Sequence, residues 1–317
     1  MPRYDYTSMG FYTFDCLAWP FSAIPEGGGT TYVEDFALAV SGAGGTAAIA
    51  AAKMGLKTLA VTGLGQDLMG DWVMQRLVQF GVDTSLVQRK AGWNTSSSIV
   101  TTRLDGSRPA LHRKGATADF FIADDEISKV VDAKVFHAGG VGFMKAMELH
   151  GQTAKVMAAA QAGGAITTVD VHAGTPDDLA AIAAVLPHTD YFMPSIDEAR
   201  ALCSLVDHEM VANYFLALGA KACVLTLGAE GVYYRDNKGR SFQQPAYEID
   251  LKCSCGCGDA FDAGFAVGLV KGFDIETCVG LGQATSALNA SGLGSQAGVT
   301  DFEQTYKFMQ THKRKTP

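Results

Sequence analysis

The sequence predicts an α/β protein in which a doubly wound, mainly parallel sheet is flanked by helices and carries a small antiparallel β lid. Three observations lead there. From residue 130 onward, short β-branched runs alternate with helical segments: "KVFHAGGV" before "MKAMELHGQTAKVMAAAQAGG", "AITTVDV" before "PDDLAAIAAVLPHT", "DYFMPS" before "IDEARALCS", and "ACVLTLG" after "HEMVANYFLALGAK". Strand and helix recurring at about 30 residues mark βαβ units on a covered parallel sheet. Near the N-terminus the pattern changes. "YTFDCLAWP" and "TTYVEDFALAV" flank the loop "FSAIPEGGG", and "SSSIVTTRLDGSRPALHRKG" reads as two strands joined at Asp105-Gly106. Antiparallel ribbons inserted in a parallel chain suit a mobile lid, with strands within 12–38 and 95–115. Finally, no linker rich in Pro, Ser or charge divides the chain, so residues 1–317 read as a single domain with an appended lid.

Composition narrows the function. Lys plus Arg is 25 against 33 Asp plus Glu, a formal charge of −8, which argues against nucleic acid or an anionic membrane as partner. The run "ALAVSGAGGTAAIAAA" is broken by glycines, and "MPRYDYTSMG" lacks a basic segment followed by an apolar one, so neither spanning nor export is expected. Seven cysteines, an odd number scattered through apolar surroundings, fit reduced thiols and a cytoplasmic location.

The stretch "CSCGCGDAFDAGFAVGLVKG", residues 253–272, asks whether it binds metal or phosphate. Zinc needs a second ligand pair at comparable spacing, and neither another C-x-x-C nor clustered histidines supply one. Gly256 and Gly258 instead stand before a helix of small residues, where free backbone amides and the helix dipole make an anion cradle. Asp259, within four residues counted from Gly256, could cap the helix or take a proton from a hydroxyl while the amides stabilise a transferred phosphoryl group. Cys255 and Cys257 fall at the same helix start, which predicts stabilised thiolates and oxidative inactivation reversible by reductant.

This run resembles the C-terminal signature of the ribokinase-type (PfkB) carbohydrate kinases, Asp-Thr-Thr-Gly-Ala-Gly-Asp followed by Ala-Phe, matched at Gly256, Gly258, Asp259, Ala260, Phe261 and Gly264. "SGAGGTAAIAAAKMG" with "GLGQDLMG", "MPSIDEA", "VLTLGAEGVYY" and "GLGQATSALNASGLGSQ" resemble further family landmarks in the same order, across nearly the whole chain. The resemblance implies a ribokinase-like fold and an ATP-dependent kinase acting on a primary hydroxyl of a monosaccharide. A nucleoside kinase, or a sugar- or nucleotide-binding sensor without turnover, is the alternative. It implies Asp259 as general base with Gly256, Cys257 and Gly258 as the anion hole. Asp15, Gly42 and Thr46 would contact substrate, with Ser41 and Thr46 departing from the family's glycine and asparagine. Ser195 and Glu198 would organise Mg²⁺, and Thr226, Gly228, Gly231 and Gln283 would contact the nucleotide. Cys253 replaces the first signature aspartate, which leaves monovalent-cation activation an open question. Lys252 and His172 are further charges that could assist phosphate binding. The lid carries Arg103, Arg108, His112, Arg113 and Lys114, of which Arg108 is taken as a substrate contact suited to a carboxylate or phosphate. In many members the lid also pairs with a second subunit, which implies a homodimer.

Overall fold

The computed structural model describes residues 2–172 and 175–316. In chain order the strands are β1 (Tyr4–Gly10), β2 (Thr13–Trp19), β3 (Asp35–Ser41), β4 (Thr58–Val61), β5 (Gly63–Gly65), β6 (Gln88–Lys90), β7 (Ser97–Thr101), β8 (Ala110–Arg113), β9 (Ala133–Val141), β10 (Ile166–Val171), β11 (Tyr191–Phe192), β12 (Ala222–Thr226), β13 (Val232–Asp236) and β14 (Ser241–Gln244). The helices are α1 (Ala43–Lys53), α2 (Leu68–Gln79), α3 (Ile127–Val130), α4 (Lys145–Leu149), α5 (Gln152–Ala162), α6 (Leu179–Val185), α7 (Ile196–Cys203), α8 (His208–Ala217), α9 (Cys257–Val270), α10 (Ile275–Ala290) and α11 (Phe302–Thr311).

An eight-stranded sheet runs in the order β14-β13-β12-β11-β10-β9-β1-β4. The six strands from β12 to β4 are parallel, and β13 and β14 close one edge antiparallel. Being covered on both faces, β9 and β10 read as near-continuous buried runs, as strands between two helical layers must. On one face, Met9, Phe136, Val169, Val156 and Phe215 share an apolar cluster with the helices that cover them; on the other, Tyr6 and Val135 pack with residues of α1, α9 and α10.

α9 is apolar nearly all round because it lies buried between the sheet and α10. Its small residues permit that approach: a Cβ on Gly264 would stand 2.2 Å from Thr285 Oγ1 and 2.7 Å from the Leu281 carbonyl. The N-terminus of α9 is thereby fixed at the carboxyl ends of the parallel strands, where open α/β sheets take their ligands.

A separate four-stranded sheet, β3-β2-β7-β8, forms the lid. β2–β3 and β7–β8 pair antiparallel as the sequence indicated, but β2 and β7 run parallel. The chain between them passes through α1, β4 and α2, and a crossover of that length lets two ribbons meet in the same direction. β3 also extends to Ser41, beyond the expected limit.

Candidate active site

Two cavities meet at the start of α9. The larger, about 870 Å³, lies between the lid and the strand ends, and the smaller, about 290 Å³, lies beside α10. Thr226, Gly228, Ser254, Cys257 and Gly258 line both, so the anion cradle is the seam between them.

The cradle follows from local chain geometry. Gly256 precedes α9 at φ +66°, and a Cβ there would stand 2.8 Å from Ser295 Oγ and 2.9 Å from Thr46 Cγ2. The first bond of the α9 ladder runs from the Ala260 amide to the Gly256 carbonyl, so the first-turn amides before it precede regular helical pairing. Gly258 has open space where a side chain would begin, which leaves the approach to those amides clear.

Asp259 stands at this seam on the wall of the larger cavity, and burial pushes its carboxyl up to about 6 against the partial relief given by Arg108. The cradle's thiols behave differently from the expectation for a helix terminus. Burial pushes Cys257 up to about 11, and Cys255 is raised further, its largest cause being hydrogen bonding with Cys253. The low thiol is Cys253, brought down to about 6 chiefly by hydrogen bonding from Cys255. Its sulfur accepts from the Cys255 amide at 3.3 Å and lies 3.7 Å from Thr102 Oγ1. Donors gathered around the sulfur, not the helix dipole, select the thiolate.

Ser195 and Glu198 form a capping box at the start of α7. The Glu198 carboxylate accepts from the Ser195 hydroxyl and, at 3.2 Å, from the Ser195 amide. Both residues still line the large cavity. Burial raises the Glu198 carboxyl and Asp259 adds to the rise. Asp170, at the end of β10, lines the same wall and is raised well above the usual range by burial and by Asp262, Glu198 and Asp259. It was missed in the sequence, where its signal was an aspartate closing a β-branched run. Behind the wall, Asp262 is 1% exposed, and neither of its oxygens has a hydrogen-bond partner among the described residues. Burial holds it as a neutral acid, 3.9 Å from His137 Nε2, and drives that imidazole down to about 3.

On the lid side, Asp15, Ser41, Gly42 and Arg108 line the large cavity. Thr13 Oγ1 donates to Asp15 Oδ1 at 2.8 Å, and burial raises Asp15. Gly42 stands before α1 at φ +81°, where a Cβ would meet the Phe11 carbonyl at 2.5 Å. Arg108 Nε donates to Ser254 Oγ at 3.2 Å. Thr46 is wholly buried on α1 with its methyl under Gly256, and its side chain acts on Asp259, where hydrogen bonding from it partly offsets the rise that burial causes. Lys252 turns away from the cradle, paired with Asp35 at 3.6 Å and lying over the Trp19 ring. His172 lines the cavity against Phe11 and Phe143.

The smaller cavity is lined by Thr226, Gly228, Gly231 and Gln283, with Tyr247, Ile249 and Ala287 supplying an apolar floor. Gln283 is held by the framework, donating to the Gln244 carbonyl at 3.0 Å and accepting from Arg314 at 2.6 Å, so it presents a fixed wall.

A family model described as pfkB family carbohydrate kinase matches residues 14–301. The chain belongs to the pfkB family of carbohydrate kinases. Among its curated relatives are the 2-dehydro-3-deoxygluconokinase of Bacillus subtilis, 25% identical over 305 residues covering 91% of this chain and 92% of the relative, and the ribokinase of Staphylococcus aureus, 26% identical over 87% and 90%. The structure of Arabidopsis thaliana ribokinase complexed with ribose and ATP superposes with a TM-score of 0.80 at 22% identity, covering 98% of this chain and 99% of that one. Ribokinase from Giardia lamblia gives 0.81 at 19%, covering 96% and 99%. These neighbours share the ribokinase-like fold.

The acidic wall also fits a divalent cation. Magnesium is usually held by one or two carboxylates together with water and substrate phosphates. Asp170 and Glu198, each raised by burial and further by neighbouring carboxylates, offer such a pair beside the cradle. No cluster of three or more acidic, histidine or cysteine side chains placed to hold a metal ion occurs among the described residues.

Proposed function

We propose that the protein transfers the γ-phosphoryl group of ATP to a primary hydroxyl of a monosaccharide, with Asp259 as general base and residues 1–317 working as a single kinase domain. The observation that carries this reading is the meeting of two cavities at the first turn of α9 with Asp259 at the seam. The smaller cavity suits the nucleoside, flat and apolar over Tyr247 and Ala287 beside Gly228 and Gly231. The larger suits a polyhydroxylated acceptor, with Asp15 as hydroxyl partner.

The chemistry follows from the residues. An aspartate at about 6 is ionised near neutrality yet has more proton affinity than an exposed carboxylate, so it takes the hydroxyl proton as the oxygen attacks. The Gly258 amide stabilises charge on the transferred group, joined by the Cys257 amide if its long 3.4 Å bond to the Ser254 carbonyl yields, and the Cys257 thiol, pushed up to about 11, stays neutral and does not repel it. Asp170 and Glu198 would hold Mg²⁺, which supplies charge neutralisation on the phosphates when bound. The ATP held by the Arabidopsis ribokinase of the same fold supports the nucleotide assignment.

We infer a homodimer through the lid. Leu38, Cys16, Ile99 and Leu111 are register partners in one row across β3-β2-β7-β8, and Leu38, Ile99 and Leu111 are 50%, 54% and 63% exposed. An apolar sheet face of this kind calls for cover, which a second lid supplies. Ile99→Lys should convert a dimer to a monomer in sedimentation. The seven free cysteines support a reducing, cytoplasmic setting, and no described helix is long and apolar enough to cross a membrane.

The deciding experiment measures ADP formation from Mg-ATP across sugars, sugar acids and nucleosides, with Asp259→Asn alongside. Turnover on one class, lost in the variant, bears out the reading. Silence across the panel, with ATP and sugar still bound, refutes it in favour of a binding protein.

A further inference from the structure

Charge is segregated along the large cavity. Around the cradle stand the carboxyls of Asp170, Glu198 and Asp259. Toward the lid the lining holds the Arg108 cation and two imidazoles beside the Asp15 carboxyl: Arg108 and His112 come from the β7–β8 ribbon and His172 from the loop after β10, and burial lowers both imidazoles, so they serve there as neutral hydrogen-bonding groups. Lys114, one residue past β8, places Nζ 5.0 Å over the Phe143 ring. That ring binds the corner together, with centroids 5.4 Å from His112, 5.1 Å from His172 and 4.6 Å from Phe11. Arg108 stands between the two regions, since its charge acts both on His172 and on Asp259.

Exposed cations on a ribbon are ordinary where carboxylates balance them, and this chain holds an excess of acids, 33 against 25. Among the described residues Lys134, Lys155, Lys221 and Lys313 each pair with a carboxylate while others, such as Arg103 and Lys129, do not, so what marks this corner is that an unpaired guanidinium and two imidazoles face one cavity. Arg108, His112 and Lys114 form no ion pair among the described residues. Asp15 is the acid whose charge reaches His112, and its oxygen already accepts from Thr13. Arg108 is tethered through Nε to Ser254, whose hydroxyl donates onward to the Gly106 carbonyl at 3.0 Å. The tether fixes the guanidinium stem and leaves its two terminal nitrogens for a ligand. Phe11 and Phe143 back the corner with apolar surface, which strengthens any ion pair made there.

We propose that the acceptor is an anionic sugar, and that its carboxylate, sulfonate or phosphate group docks among Arg108, His112, Lys114 and His172 while the hydroxyl to be phosphorylated lies at Asp259. The proposal rests on the kinase reading and narrows its substrate class. Selectivity has a physical source: a neutral sugar entering this corner leaves the Arg108 and Lys114 cations without a partner, so it is rejected as well as poorly held.

The test has two readouts. Initial rates of ADP formation are compared for a neutral hexose, the aldonic acid and 2-keto-3-deoxy acid of the same carbon count, a sugar sulfonate and a hexose phosphate. Binding of the same compounds is measured by calorimetry without nucleotide. One anionic class should exceed the neutral hexose in kcat/KM on the order of 10²-fold, the discrimination a paired charge supplies. Which anion wins distinguishes carboxylate from sulfonate and phosphate. In Lys114→Gln and His112→Gln that preference should collapse toward unity, and calorimetry should show the acid's affinity falling at least tenfold. A neutral sugar preferred by the wild type overturns the proposal and leaves the kinase reading standing. If nothing yields ADP, an acid that binds in a Lys114-dependent way upholds the anion site without the kinase, and no binding refutes both.

Discussion

Replacing Asp259 by asparagine should remove activity and at the same time make the fold more stable. The carboxyl stands at about 6 in the folded protein against 3.8 for an ordinary aspartate, because burial penalises its charge. That difference corresponds to roughly 3 kcal/mol of destabilisation once the group is ionised, at about 1.4 kcal/mol per pKa unit. Water in the cleft relieves part of it, so between about 1 and 2 kcal/mol is expected. The sign is fixed by the direction of the shift. A raised acid costs nothing below the unfolded pKa, where both states are protonated, and costs most above the folded one. For a chain of 317 residues the change amounts to a rise in Tm of roughly 2 °C at pH 8. The gap between variant and wild type should narrow as pH falls through about 6 and vanish near 3.8. Loss of a general base meanwhile lowers kcat by about 10² to 10⁴-fold. Differential scanning fluorimetry across pH, paired with rates at pH 8, measures both. A Tm gap that does not change with pH, or a variant within tenfold of wild-type turnover, would refute the assignment of Asp259 as a buried, ionising base.

Further outcomes follow from the same geometry. The acid limb of kcat/KM should fall tenfold per pH unit below about 6, set by Asp259, and a midpoint near 4 in the pH–rate profile would contradict it. Asp170→Asn and Glu198→Gln should each raise the Mg²⁺ concentration for half-maximal rate by about tenfold or more, since a carboxylate ligand is lost while Gln can keep the α7 cap; an unchanged Mg²⁺ titration would move the ion elsewhere. Gly256→Ala, forced to hold φ +66° against Ser295 and Thr46, should cost about 1–3 kcal/mol and weaken ATP binding, as equilibrium unfolding and nucleotide titration would show. Cys253, the lowered thiol, is fully buried, so peroxide should inactivate the folded protein only slowly; rapid oxidation mapped to the half-buried Cys257 would restore the helix-terminus account.

What could be read from the sequence depended on whether the signal was local. Alternating strand and helix gave the parallel sheet, and a Gly-x-Gly-Asp before a small-residue helix gave the cradle, because both are properties of consecutive residues. The parallel β2–β7 contact escaped notice since it depends on where a long crossover returns. The resemblance implied Thr46 as a substrate contact, but how α1 turns its residues is decided by packing against α9, which buries Thr46 beneath Gly256 and beside Asp259. Asp170 shows the converse. An aspartate ending "AITTVD" looks like any strand terminus until the sheet order sets β10 beside β11, whose following turn brings Glu198 to the same wall. The thiols make the same point in chemistry: proximity to a helix start suggested Cys255 and Cys257, while three-dimensional donors from Cys255 and Thr102 chose Cys253. Site identity in this fold is therefore carried by consecutive residues where the backbone itself binds, at the cradle. It is carried by topology where side chains from separate strands must converge, as at the acidic wall and the cationic corner facing it.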